Sequence, residues 1–201
     1  MRIWGSEVLS RKLGAGIVVV LVAVATLVVD AAPAQAYATW NDHRLWDGVG
    51  GWGGYNQFYY VDGSASAHLG TAVAAMDDWI YSTARTGVST PISFVRTTYR
   101  PNSVLDVFKT DAITPWWGLT TLYNNDVEQN EWDGNWSWAY VQLDGGFAYC
   151  ANQQGVIAHE MGHAMGLAHV STPSSVMYDD IAYTSVTAAV ADDLNGINHL
   201  Y

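Results

Sequence analysis

The stretch HEMGHAMGLAH, residues 159–169, constrains this chain more than any other. His159 and His163 lie four residues apart, so on an α-helix they share a face and can aim ring nitrogens at one point. Glu160 lies one step round, close enough to reach a water held there but out of a ligand's place. His169 follows His163 by six residues, which puts it on the wrong face if the helix continues. The chain must therefore turn between them. Gly166 stands at that point, and glycine accepts the left-handed backbone that ends a helix. The spacing predicts a helix that stops at a turn and returns a third histidine to the first two.

The chemistry follows from the donors. Three imidazoles leave the fourth position of a tetrahedral zinc open for water, the mark of a catalytic rather than a structural ion. The H-E-x-x-H portion supplies two ligands and, in Glu160, a general base. That portion alone is a loose pattern. Adding Gly166 where a turn is required, and His169 beyond it, makes it a narrow one.

The first 36 residues read as an address. Arg2, Arg11 and Lys12 flank an unbroken apolar run, LGAGIVVVLVAVATLVV, and DAAPAQA follows with small residues at Ala34 and Ala36. This is the three-part pattern of a secretory signal peptide cut after Ala36. The run is at the short end for a membrane span, which wants about 20 apolar residues. We expect residues 37–201 to be the exported domain, monomeric and without lasting membrane attachment. The formal net charge of −11 argues against nucleic acid as a partner. The single cysteine, Cys150, permits no internal disulfide and reads as a small buried apolar group.

Residues 37–201 read as one α+β domain. The aromatic segment 55–61 predicts a strand. Leu69, Val73, Met76 and Ile80 recur at helical steps, with Asp77 and Asp78 on the solvent side. Residues 91–99 and 103–109 predict strands separated by Pro101-Asn102. GLTTLY (118–123) predicts a shorter strand, 124–135 a loop, and 136–144 a strong strand closed by Gly145-Gly146. One helix is expected over about 152–167. A last one is expected over about 187–199, with Leu194 and Ile197 on one face.

HEMGHAMGLAH resembles the long zinc signature of the metzincins. In STPSSVMY, Met177 follows His169 by eight residues, a placement similar to that family's Met-turn. Within the metzincins the chain is most similar to matrixins, the matrix-metalloprotease type, of small secreted microbial form. ADDLNGINHLY (191–201) resembles their closing helix with its paired aspartates, and the Leu69 helix followed by PISFVR resembles their first helix and second strand. The likeness is strong over about 150–201 and weaker but ordered over about 55–145.

This resemblance implies a twisted mixed sheet with two long helices, then a small C-terminal subdomain with the Met-turn and closing helix. It implies a secreted endopeptidase with one catalytic zinc on His159, His163 and His169. Glu160 would be its general base and acid, and Met177 a hydrophobic floor rather than a ligand. It also implies that Asp192 or Asp193 pairs with the ammonium of Tyr37 after cleavage; read alone, two acids here equally favour a helix N-terminal dipole. The chain departs from matrixins at Val170, where they carry serine, and at Asp179, where proline follows Met-Tyr. No histidine lies between His68 and His159, so the family's second, structural zinc lacks its ligands. No propeptide segment is read between signal and catalytic domain.

A peptide substrate would lie as an added strand on a sheet edge, for which GLTTLY is the candidate. Asn125, Asp126, Glu128, Glu131 and Asp133 offer hard oxygens to calcium at no recognised spacing, and read equally as a solvated acidic loop. His43, His68 and His199 read as surface or packing residues, and Tyr183 either as pocket lining or as packing. Two other functions fit the metal signature. One is a zinc-containing binding or toxin-like module without turnover, against which Glu160 speaks. The other is a zinc amidohydrolase acting on a non-protein substrate.

Overall fold

The computed structural model describes residues 37–51 and 55–201. The signal-peptide reading of residues 1–36 lies outside the described residues. In chain order the elements are β1 (Ala38–Thr39), β2 (Gln57–Val61), α1 (Leu69–Ile80), α2 (Thr83–Thr86), β3 (Phe94–Thr97), β4 (Leu105–Lys109), β5 (Gly118–Asn124), β6 (Val127–Gln129), β7 (Trp138–Leu143), α3 (Gln153–Ala164), β8 (Leu167–Ala168) and α4 (Ala191–Leu200). Among the described residues no helix is long and apolar enough to cross a membrane.

Six strands form one mixed sheet in the order β3-β2-β4-β7-β5-β6. β3, β2, β4 and β7 run parallel, whereas β5 is antiparallel to β7 and β6 antiparallel to β5. β7 has the alternation expected of 136–144: Ala139, Val141 and Leu143 are buried, and the residues between them are half-buried.

α1 and α3 pack together. The stripe that α1 buries is Ala72, Ala75, Met76 and Trp79, which corrects the expected Leu69–Val73–Met76–Ile80 face. Of those four only Met76 is buried, and the other three sit half-exposed at the rim. Two alanines replace bulk on the inner side, and Trp79 reaches past them to donate its indole N–H to the Ala158 carbonyl at 3.0 Å. A second buried indole, that of Trp136, donates to the Ala164 carbonyl at 2.9 Å. α3 is therefore enclosed on every side, and Gly155 through Ala164 are all buried.

Two further expectations change. GLTTLY is not a minor strand: β5 has seven residues and is the longest of the sheet. The expected 124–135 loop contains β6, joined to β5 by Asn125 and Asp126 at φ of 50° and 61°. Two successive left-handed residues make the hairpin turn whose twist matches paired strands, and Asn and Asp tolerate that conformation.

Candidate metal centre

The helix, turn and return expected of residues 159–169 are present. Asn152 caps α3, its side-chain oxygen accepting the Gly155 amide at 3.0 Å. α3 ends at Ala164, and Gly166 follows at φ +108°. A Cβ there would stand 2.7 Å from Leu200 Cδ1 and 2.8 Å from the His43 carbonyl oxygen, so the turn needs glycine for space as well as for conformation. β8 then pairs with β1, setting Ala38 opposite Ala168 and Thr39 opposite Leu167, and His169 arrives beside the helix.

The three Nε2 atoms form a triangle with edges of 2.9 Å (His159–His163), 3.1 Å (His159–His169) and 3.1 Å (His163–His169). Nitrogens about 2.0–2.1 Å from a tetrahedral zinc lie about 3.3 Å apart, so one ion fits above this triangle. The proton placement agrees. His159 Nδ1 lies 2.8 Å from the Val176 carbonyl and His163 Nδ1 lies 2.8 Å from that of Leu167. A carbonyl only accepts, so each Nδ1 carries the hydrogen and each Nε2 presents a lone pair. Burial pushes the imidazolium form of all three down, that of His159 to about 4. Neutral rings with converging lone pairs suit a cation. Among the described residues this is the one group of three His, Cys, Asp or Glu side chains whose ligand atoms converge within 4.8 Å.

Glu160 is buried beside the triad. Burial raises its carboxyl to about 7, against the pull of the Thr120 hydroxyl. Thr120 Oγ1 lies 2.7 Å from Glu160 Oε2 and 2.9 Å from the Glu160 backbone oxygen. Gly118 gives the carboxylate its room, since a Cβ there would stand 2.7 Å from Glu160 Cγ. β5 thus positions the proposed base through two residues that sequence reading did not single out. Both contacts span some forty residues of chain and leave no local signal.

Met177 packs under the helix, where a Cβ on Gly162 would meet its Sδ at 2.3 Å. Its turn is held by Asp193, whose carboxylate accepts the Ser175 hydroxyl, the Val176 amide at 3.2 Å and the Val190 amide at 2.8 Å. Both Asp193 oxygens are engaged there, and Asp192 stands next to it in the first turn of α4. Tyr37 lies against the same helix, close to Gly196, with its ring 5.7 Å from that of His199.

The remaining candidates separate. No three carboxylates among Asp126, Glu128, Glu131 and Asp133 converge as ion ligands. Cys150 is buried, and burial raises its thiol. His43 meets the Glu131 carbonyl, His68 the Gln153 side chain, and His199 the Asp42 carboxylate. His68 is buried in packing, His43 is half-buried and His199 lies on the surface. Tyr183 lines a cleft of about 780 Å³ that runs over the triad, together with Asp179 and Asp180, the outer face of β5 and Trp40.

Comparison with known proteins agrees with this geometry. The matrixin family profile matches residues 72–201, well over half of the chain. Matrix metalloproteinase-9 of Canis lupus familiaris is 48% identical over 46 residues, which are 23% of this chain and 6% of that protein. Neutrophil collagenase of Homo sapiens is 46% identical over 48 residues, 23% of this chain and 10% of that protein. Interstitial collagenase of Oryctolagus cuniculus is 30% identical over 113 residues, 55% of this chain and 21% of that protein. The matched segments thus span about a fifth or less of these relatives.

Proposed function

The chain belongs to the matrixin family, and from that membership we propose that residues 37–201 are a secreted zinc-dependent endopeptidase. The observation that carries this reading is the triangle of Nε2 atoms, two of them left with a lone pair by carbonyl-bonded Nδ1 atoms, with a buried carboxylate beside it. His159, His163 and His169 would hold the zinc. When bound, zinc supplies a Lewis acid and a water of lowered pKa. Glu160 takes the proton of the attacking water and delivers it to the leaving amine. Burial raises this carboxyl above its ordinary range and a neighbouring cation would draw it back down, opposed pulls that suit a group required both to take and to return a proton. Thr120 and Gly118 hold it in place. The substrate lies as an added strand along the outer side of β5. That free edge favours a polypeptide over a small non-protein amide, and a base beside the triad has no use in a module without turnover.

Export through residues 1–36 would leave Tyr37 as the terminus. With Asp193 engaged at the Met177 turn, Asp192 is the aspartate that would receive its ammonium. A chain extended by a few residues before Tyr37 should then melt at a lower temperature; an unchanged melting point would remove this pairing.

The test of function is hydrolysis of casein by purified residues 37–201. Cleavage should stop with chelator and return with added zinc. A chain that binds one zinc but cuts no protein in a chelator-sensitive way would contradict the reading.

A further inference from the structure

β5 has two long sides. β7 pairs along one from Gly118 to Tyr123, while β6 occupies the other only over Leu122–Asn124, with Gln129 opposite Leu122. Beyond Gln129 the chain could have continued along β5 opposite Thr121 and Thr120. It turns away instead. Asn130 ends the strand: its side-chain oxygen accepts the Trp132 amide at 3.0 Å and its backbone oxygen the Asp133 amide at 3.1 Å. The Gln129 side-chain amide donates to the carbonyls of Gly134 and Asn135 at 2.8 and 3.1 Å. The departing arm is then fastened to the N-terminal segment. His43 Nδ1 meets the Glu131 carbonyl at 3.0 Å, and Trp132 stands edge-on to Trp40 with ring centroids 5.2 Å apart. No other described strand pairs with the outer side of Gly118–Thr121, and residues 128–131 line the same cleft as that edge.

We propose that the β6 arm is a stop at one end of the substrate edge, so that the cleft pairs only about two substrate residues on the amino-terminal side of the scissile bond. This rests on the reading of β5 as the peptide-binding edge. A strand added to Gly118–Thr121 is collinear with β6 and must meet its Gln129–Asn130 end. Glu160 marks the reacting centre, packed on Gly118 and 2.7 Å from Thr120 Oγ1. From Thr120 to Leu122 is two residues, about 7 Å of strand. Antiparallel pairing is the stronger mode and turns the substrate's amino-terminal side toward β6. Glu128 and Glu131 flank that end, which is compatible with a substrate amino end there, although Asp179 and Asp180 make the rest of the cleft acidic as well and the strand direction carries the orientation.

The zinc-loaded chain is tested on peptides that share one cleaved sequence and are lengthened by single alanines on the amino-terminal side, from one residue to five. Each of the first two paired residues should raise kcat/KM about two- to tenfold, with less than about a twofold further change through the fifth. A steady rise through the third, fourth and fifth residues overturns the stop. In the double variant Gln129→Ala, Asn130→Gly, kept for use only if its melting point shows it folded, the third residue should regain an effect on kcat/KM. A plateau identical to wild type in that variant also overturns it, because the arm would not be its cause. Cleavage of no peptide at any length would instead sink the peptidase reading on which the stop depends.

Discussion

The floor of the cleft and its upper wall are built in contrasting ways. The floor is α3, the Gly166 turn, β8 and the Met177 turn. It is local in sequence, buried except at His169, and its two helical histidines are fixed by hydrogen bonds to backbone carbonyls. The wall is β5 with its β6 arm. It is half-exposed and reaches the floor only through contacts between distant segments, such as Thr120 on Glu160. The floor holds donors whose spacing must be correct to a few tenths of an ångström. The wall holds an edge whose length and openness decide what can lie there. Changes in the floor should therefore abolish reaction on every substrate, and changes in the wall should alter efficiency and selectivity.

The largest effect is expected in the floor. His163→Ala removes one corner of the triangle and should cost more than about a hundredfold in hydrolysis together with stoichiometric zinc, measured by metal analysis beside peptide cleavage. Full zinc retention would break the assignment. Next is Gly118→Ala in the wall, where the new Cβ meets the flexible end of Glu160. Melting should move little while kcat falls about ten- to a hundredfold; a destabilised but equally active enzyme would show that Gly118 serves packing. Thr120→Val should be milder. The hydroxyl stabilises the charged carboxylate against burial, so its loss raises the Glu160 pKa. More of the base is then protonated at a given pH, and the acid limb of kcat/KM moves to higher pH, with a larger loss at pH 6 than at pH 8. A limb that stays put or moves down would contradict the link between wall and floor. The smallest effect is expected of Asp126→Gly at the hairpin turn, φ 61°. Relief of the left-handed backbone is opposed by loss of the Trp138 indole N–H bond to Asp126 at 3.3 Å, so stability, read from melting, should shift by less than about 1 kcal/mol with kcat unchanged.

The same contrast explains what could be read in advance. The triad, Glu160 and the Gly166 turn were legible because helix periodicity and one glycine determine their mutual placement within eleven residues. β7 was legible from alternation. The buried face of α1 was not, since the apolar period picks Leu69, Val73 and Ile80 while close packing on α3 selects Ala72 and Ala75. β6 was hidden in an acidic stretch whose one hairpin signal, Asn125-Asp126, is a weaker form of Asn-Gly. Thr120, Gly118 and the second role of Asp193 depend on tertiary approach alone.

The central claim is that three neutral histidines hold the ion while Glu160 moves the proton. Measuring zinc content and kcat on the same sample of Glu160→Gln tests it most directly. One zinc per chain should remain, with kcat reduced at least about a hundredfold. Zinc retained with wild-type kcat would contradict Glu160 as the base, and zinc lost with the substitution would make Glu160 part of the metal site instead.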